Sequence, residues 1–182
     1  MKRLFFVRHG LSVDNVKGIF SGQSESELTL EGKNQAKMAG RQTKENGWGV
    51  DLIISSPQSR AYDTAVLIAK EIGYPVKDIQ KNELFKERSF GVLEGTPSKE
   101  FFDAYTYKDL DNAPGAESVL ALQGRAKRAL DHIDSLDADN ILIVGHGAFG
   151  RAIRRTIHKE SYTAEYANPL IRIQNGEVVE LV

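Results

Sequence analysis

The chain of 182 residues has no cysteine. That absence removes disulfides, thiolate nucleophiles and cysteine-ligated metals together, so the cysteine-nucleophile phosphatases and hydrolases are excluded. An excess of charge of one sign is missing too. There are 24 Lys and Arg against 25 Asp and Glu, a formal net charge of -1. Such a balance sets up no global field for nucleic acid or an anionic membrane, and any anion must be held locally. Long apolar runs are also absent. Leu4 to Val7 is interrupted by Arg8, too soon for a signal peptide, and nothing elsewhere approaches a membrane span. The expectation is a cytoplasmic protein, one domain over residues 1–182, with no nucleic-acid or membrane partner.

What is present is an alternation of short β-branched runs with long amphipathic stretches, the pattern of α/β layering. Strands are expected at about 3–7, 51–55, 76–78, 140–144, 170–174 and 178–182. The first long helix should open at Thr29 and stop at Gly47. The second should have Ser56 as cap and Pro57 in its first turn, and end near Gly73. Two more should run from about Glu117 to Leu136 and Ala148 to His158. Asn175-Gly176 between two apolar runs signals a hairpin. Between Phe85 and Pro114 the pattern is irregular, which suggests a functional loop holding a short helix.

Three of the expected strands run into polar turns that carry cations. LFFV leads into Arg8-His9-Gly10, LIIS into Ser56-Pro57-Gln58-Ser59-Arg60, and ILIV into Gly145-His146-Gly147. As parallel neighbours they would place all three turns on the carboxyl edge of one sheet, where open α/β folds bind ligands. Two arginine forks with backbone amides suit a tetrahedral phosphate. A neutral imidazole flanked by cations is a competent nucleophile, so His9 can attack phosphorus, and His146 opposite it would stabilise the transition-state charge. Glu87 in the irregular loop is the candidate to protonate the leaving alkoxide and later deprotonate water. Taken singly, Arg-His-Gly or Glu87 would read as an ordinary structural feature, and the weight rests on the three matched turns.

Other features read as structural. Asp109-Leu110-Asp111 follows no apolar strand and is expected to be a solvated turn. His132 and His158 fall late in helical stretches, where they suit the helix dipole. Arg151, Arg154 and Arg155 could make the second contact of a phosphate-rich ligand, but are expected to form a solvated helix face. The aromatics Phe90, Phe101, Phe102, Tyr105 and Tyr107 either line an apolar lid or pack the loop helix onto the domain.

Six segments in order resemble the histidine phosphatase superfamily, also called phosphoglycerate mutase-like. They are Arg8-His9-Gly10 with Ser12 and Asn15; Phe20-Ser21-Gly22 with Leu28-Thr29-Leu30-Glu31-Gly32; Ser55-Ser56-Pro57 with Arg60-Ala61 and Thr64-Ala65; Glu87-Arg88 with Gly91, Leu93 and Gly95; Pro114-Gly115-Ala116-Glu117-Ser118; and Val144-Gly145-His146-Gly147. The resemblance implies a three-layer α/β/α sandwich around a mostly parallel sheet with one antiparallel edge. It implies that His9 is phosphorylated, that Arg8, Arg60 and His146 hold phosphate with Asn15, Ser21, Gly22 and Gly147 beside them, and that Glu87 is the proton donor. It also implies a small phosphorylated substrate and neither metal nor other cofactor. A homodimer is allowed, without an interface signature. Leu11 departs from the Glu or Gln usual after Arg-His-Gly, which should alter hydrogen bonding around the first helix. Gly95 to Pro114 contains Lys99 and Lys108 but no arginine. Lacking the arginine pair of the mutases it resembles, the chain is expected to be a phosphomonoesterase; the alternative is a 2,3-bisphosphoglycerate-dependent phosphoglycerate mutase.

Overall fold

The computed structural model describes residues 2–161, 163 and 172–182. Among these, five strands form one sheet in the order β3-β2-β4-β1-β5: β1 (Arg3–Arg8), β2 (Leu52–Ser55), β3 (Gln80–Lys81), β4 (Asn140–Gly145) and β5 (Val178–Glu180). The first four pair in parallel and β5 lies antiparallel on β1. The central strands are apolar without alternation because helices cover both faces. Leu4, Phe6, Ile54 and Ile143 pack beneath α5 (Val119–Asp134) and α6 (Gly147–Ile157). Phe5, Ile53, Leu142 and Val144 face α3 (Ser59–Ile72), with Ala39 of α2 (Leu30–Glu45) in the same cluster. The result is the expected three-layer α/β sandwich.

The helix ends follow their capping chemistry. The Thr29 hydroxyl accepts from the Gly32 amide, Ser118 accepts from Ala121, and Gly73 closes α3 at a left-handed φ of 78°. The second helix begins later than Ser56-Pro57 suggested: Gln58 is its N-cap, and the Ser56 hydroxyl accepts from the Gln58 amide at 3.3 Å instead of capping a helix. A short helix α1 (Val13–Lys17) with a Ser12/Asn15 capping box had no clear periodic signal.

The strand expected at 76–78 is a 3-10 turn. Pro75, at φ -65°, caps it, the Asp78 amide bonds back to the Pro75 carbonyl, and the edge strand β3 forms two residues further on. Of the strand expected at 170–174, residues 170 and 171 lie outside the described residues, and Arg172 to Gln174 are not in a strand. The Asn175-Gly176 turn is present, with Gly176 at φ 74° and the Glu177 amide bonded to the Gln174 carbonyl. Past β5, backbone hydrogen bonds between Leu4 and both Leu181 and Val182 continue the pairing. The irregular segment holds α4 (Ser98–Ala104), as expected.

Candidate active site

Register brings the three cationic turns together. Arg8 pairs with Gly145 and Ser55 with Val144, so β1, β4 and β2 end side by side. The ladder continues one step beyond, the His9 amide donating to the Gly145 carbonyl and the Ser56 amide to the Val144 carbonyl. Gly10 is required here for packing: a Cβ on it would sit 2.2 Å from the Gly32 carbonyl oxygen, and one on Gly32 would sit 2.1 Å from that of Leu11. The glycine of Arg-His-Gly therefore lets the turn lie against the start of α2.

The three turns open on a cavity of about 210 Å3, below the roughly 300–1,000 Å3 common for ligand pockets and so suited to a small substrate. Arg8, His9, Asn15, Ser21, Gly22, Arg60, Glu87 and Gly147 all line it, which brings together every expected site residue except His146. His146 stands behind His9, fully buried, with ring centroids 5.1 Å apart. A larger cavity of about 470 Å3 lies between the carboxyl ends of α2 and α3, but no histidine or arginine lines it. Size alone does not locate the chemistry.

His9 Nδ1 lies 2.8 Å from the carbonyl oxygen of Gly10. A carbonyl can only accept, so Nδ1 carries the proton and Nε2 carries the lone pair. Burial pushes the His9 pKa well below its ordinary value, and the Arg60 and Arg8 charges add to this. His146 is lowered well below its ordinary value by the same causes, burial first and then Arg60. Its Nε2 is 2.8 Å from the Ser56 hydroxyl, while Nδ1 is buried with no protein partner. Arg8 Nε and Ser21 Oγ are likewise buried and unpartnered. Buried donors normally have a partner, and Arg8 and Ser21 line the cavity, where a bound anion would supply one.

The walls are held by groups outside the expected set. Arg60 donates to the carbonyls of Gly22 and Ser24, both at 2.7 Å. Gln58 ties the same loop to the Glu87 segment, donating to the Gly22 carbonyl and accepting from the Glu87 amide. Glu94 accepts from the amides of Gln23 and Phe90 and from the Ser24 hydroxyl. Asn175 donates to the His9 carbonyl and to Asn15 Oδ1, and the Thr64 hydroxyl accepts from the Gly10 amide. Of these, Gln58 and Thr64 fall within the quoted segments; Asn175 had been read only as a turn residue.

Glu87 does not point a free carboxyl into the cavity. Its Oε1 accepts from the amides of Arg88 (2.8 Å) and Phe149 (3.0 Å), and Oε2 from Ala148 (3.1 Å), so it rests on the amino end of α6. Arg125 on α5 fixes the loop from below, donating to the carbonyls of Leu84, Lys86 and Glu87 while pairing with Glu117 at 2.6 Å.

Three expectations change. Leu11 does not line the cavity; its amide donates to Gln35 Oε1 and its carbonyl accepts from Thr29, so the departure at this position bears on the seat of α2. Asp111 is no solvated turn residue but pairs with the fully buried Arg88 at 2.5 Å, while Asp109 caps Thr106. The arginines of α6 are not one solvated face: Arg155 is buried against Glu160, and Arg151 lines the cavity. Arg151 follows Gly147 by one helical turn, a spacing that could have revealed it. The aromatics serve both expected purposes. Phe101 and Phe102 pack on Phe20, and Phe20, Phe90, Phe102 and Tyr107 line the cavity.

A three-layer α/β protein with two buried histidines among arginine forks at the carboxyl edge of its sheet belongs to the class built to handle phosphate. The chain is a member of the histidine phosphatase superfamily, branch 1, whose model matches residues 4–182. A protein of Hydrogenobacter thermophilus provisionally named phosphoserine phosphatase 2 is 37% identical over 163 residues, covering 84% of this chain and 77% of that one. A 2,3-bisphosphoglycerate-dependent phosphoglycerate mutase of Cytophaga hutchinsonii is 31% identical over 175 residues, covering 88% and 79%. Among solved structures, a mutant phosphoserine phosphatase of Entamoeba histolytica in complex with phosphoserine superposes with a TM-score of 0.81 at 27% identity, over 99% of this chain and 90% of that one. Among the described residues no helix is long and apolar enough to cross a membrane.

Proposed function

We propose that the chain is a metal-independent phosphomonoesterase that works through a phosphohistidine on His9. The observation that carries this reading is the His9 tautomer: with Nδ1–H committed to Gly10, an unprotonated Nε2 remains on a buried ring beside two arginines. In the first step the Nε2 lone pair attacks phosphorus, the N–P bond forms and the ester P–O bond breaks. Glu87 gives its proton to the departing alkoxide. In the second step Glu87, now a carboxylate, takes a proton from water, whose oxygen attacks phosphorus and breaks the N–P bond, releasing inorganic phosphate and free His9. Arg8, Arg60, Asn15 and Ser21 hold the transferring phosphoryl oxygens, with amide support near Gly22 and Gly147, and His146 lends a donor to the spreading charge. The acceptor arrangement of Glu87 on α6 is the form that activates water. Donation to the alkoxide needs its carboxyl to turn away from the Ala148 and Phe149 amides.

A phosphoglycerate mutase is the second reading, favoured by relatives of that name such as the Cytophaga protein. Against it, the 95–114 segment brings no cation to the cavity, since Lys99 pairs with Asp103 on the surface. The deciding assay measures phosphate release from an aryl phosphate and a panel of phosphorylated metabolites, with and without a chelator. It also measures phosphoglycerate interconversion with and without bisphosphoglycerate. The proposal expects chelator-insensitive hydrolysis; rapid interconversion with little hydrolysis, or activity abolished by chelator, would overturn it.

A further inference from the structure

On the reading above His9 is a nucleophile and His146 a donor, although both rings are buried and burial holds both neutral. The difference lies in what anchors each ring. His9 Nδ1 sits 2.8 Å from a carbonyl, which can only accept, so its proton is bound and the lone pair of Nε2 is left over. His146 Nε2 sits 2.8 Å from the Ser56 hydroxyl, which can donate or accept. What that hydroxyl does decides which nitrogen of His146 carries the proton.

Ser56 is fully buried and firmly held. Its amide donates to the Val144 carbonyl of β4 at 3.0 Å, and its carbonyl accepts from the Ser55 hydroxyl at 2.8 Å. The Gln58 amide donates to the Ser56 Oγ at 3.3 Å, which fills one of its two acceptor positions. Among the described residues, His146 Nε2 is then the acceptor left for the hydroxyl proton. Were Nε2 protonated instead, two buried groups would be orphaned, the Ser56 hydroxyl proton and the lone pair of Nδ1. With the hydroxyl donating to Nε2, only the Nδ1–H of His146 lacks a protein partner. Unpaired buried polar groups are costly, so the arrangement with fewer of them is the stable one. It also leaves His146 with a proton to offer an anion, where a lone pair would repel it.

We infer that Ser56 is a positioning residue that donates its hydroxyl proton to Nε2 of His146, fixing the Nδ1–H tautomer and so making Nδ1 the nitrogen that donates to the transferring phosphoryl group. The donor role of His146 rests on the phosphomonoesterase reading, whereas the tautomer stands without it. Both histidines carry their proton on the same nitrogen. They differ in function because His9 is anchored through its proton and His146 through its lone pair. Ser56 does not line the cavity and acts through His146 alone.

Nitrogen-15 NMR of histidine-labelled protein reads the tautomer directly, with His146→Asn identifying the resonances. Wild-type His146 is expected to show a protonated Nδ1 and a lone pair on Nε2; a protonated Nε2 overturns the proposal. Ser56→Ala removes the anchoring donor and should release the ring to a mixture of tautomers. It should also lower kcat for p-nitrophenyl phosphate by about 10-fold, less than the roughly 10²–10³-fold cost of deleting a transition-state donor outright, with KM changed far less. The wild-type tautomer retained in Ser56→Ala, or wild-type kcat in a variant whose tautomer has changed, overturns the role of the hydroxyl. Should Ser56→Ala fail to fold, Ser56→Cys, whose thiol is a weak donor, is read by the same criteria. If the wild-type protein does not hydrolyse p-nitrophenyl phosphate, the phosphomonoesterase reading fails instead, and the spectra still decide whether Ser56 sets the tautomer.

Discussion

At the scale of single residues, the geometry separates chemistry from support. Glu87→Gln removes the transferable proton and should lower kcat for esters of poorly leaving alcohols by about 10²–10⁴-fold. An aryl phosphate, whose leaving group needs no proton, should lose less in the phosphorylation step; equal losses for both substrates in single-turnover experiments would contradict the assignment. Gly10→Ala tests the packing purpose of the Arg-His-Gly glycine. Its Cβ would meet a backbone carbonyl at 2.2 Å, with no flexible side chain to yield. Chemical unfolding should show a loss of about 1–3 kcal/mol or more, whereas an unchanged midpoint would contradict that purpose. The residues that carry chemistry were legible because three apolar strand ends each ran into a polar turn carrying an arginine or a histidine. Their supports were not. Gln58, Glu94 and Asn175 act through hydrogen bonds to backbone atoms far along the chain, such as Asn175 to the His9 carbonyl, and no spacing in one sequence announces such a partner.

At the scale of elements, helix ends were legible wherever capping chemistry was local, as at Thr29, Gly73 and Ser118. They were misplaced where tertiary demands intervened. Ser56-Pro57 has the composition of a helix start, yet its serine hydroxyl bonds to His146 and the helix waits for Gln58. The irregular loop is held by its own Arg88, which donates to the Glu117 carbonyl, and from outside by Arg125 of α5, which donates to the carbonyls of Leu84 and Lys86; both arginines are buried. Removing Arg125 leaves the carbonyls of Leu84 and Lys86 and the carboxylate of Glu117 without their donor. Arg125→Met should therefore cost about 3 kcal/mol and slow hydrolysis by releasing the Glu87 segment, as read by unfolding and by limited proteolysis between residues 83 and 95. Resistance to proteolysis equal to the wild type would show that α5 is not what anchors that loop.

For the whole molecule, the two buried neutral histidines tie stability to pH. Each is held well below the ordinary histidine value of about 6.5 in the folded protein, so between that value and its folded pKa the unfolded chain binds more protons. Stability is thus fully present above the unfolded value and is lost as pH falls below it, each histidine contributing a slope of up to about 1.4 kcal/mol per pH unit. Urea unfolding of His146→Asn should show a shallower decline below pH 6.5 than the wild type. Parallel declines would mean that His146 is not buried in its neutral form. The layer order was legible at this scale because strands buried on both faces read as continuous apolar runs. The cavity's far wall was not, since Arg151, Tyr107 and Arg172 come from three separate segments and meet only in the folded chain.

The central claim is that phosphate passes through His9. Mixing the protein with an excess of aryl phosphate, quenching in denaturant at alkaline pH within the first turnovers and weighing the intact chain and its peptides tests this most directly. The account predicts one added phosphoryl group on the peptide containing His9, lost on acid treatment and absent in His9→Ala, which should also release no phosphate above background. An acid-stable adduct elsewhere, or wild-type phosphate release by His9→Ala, would contradict it.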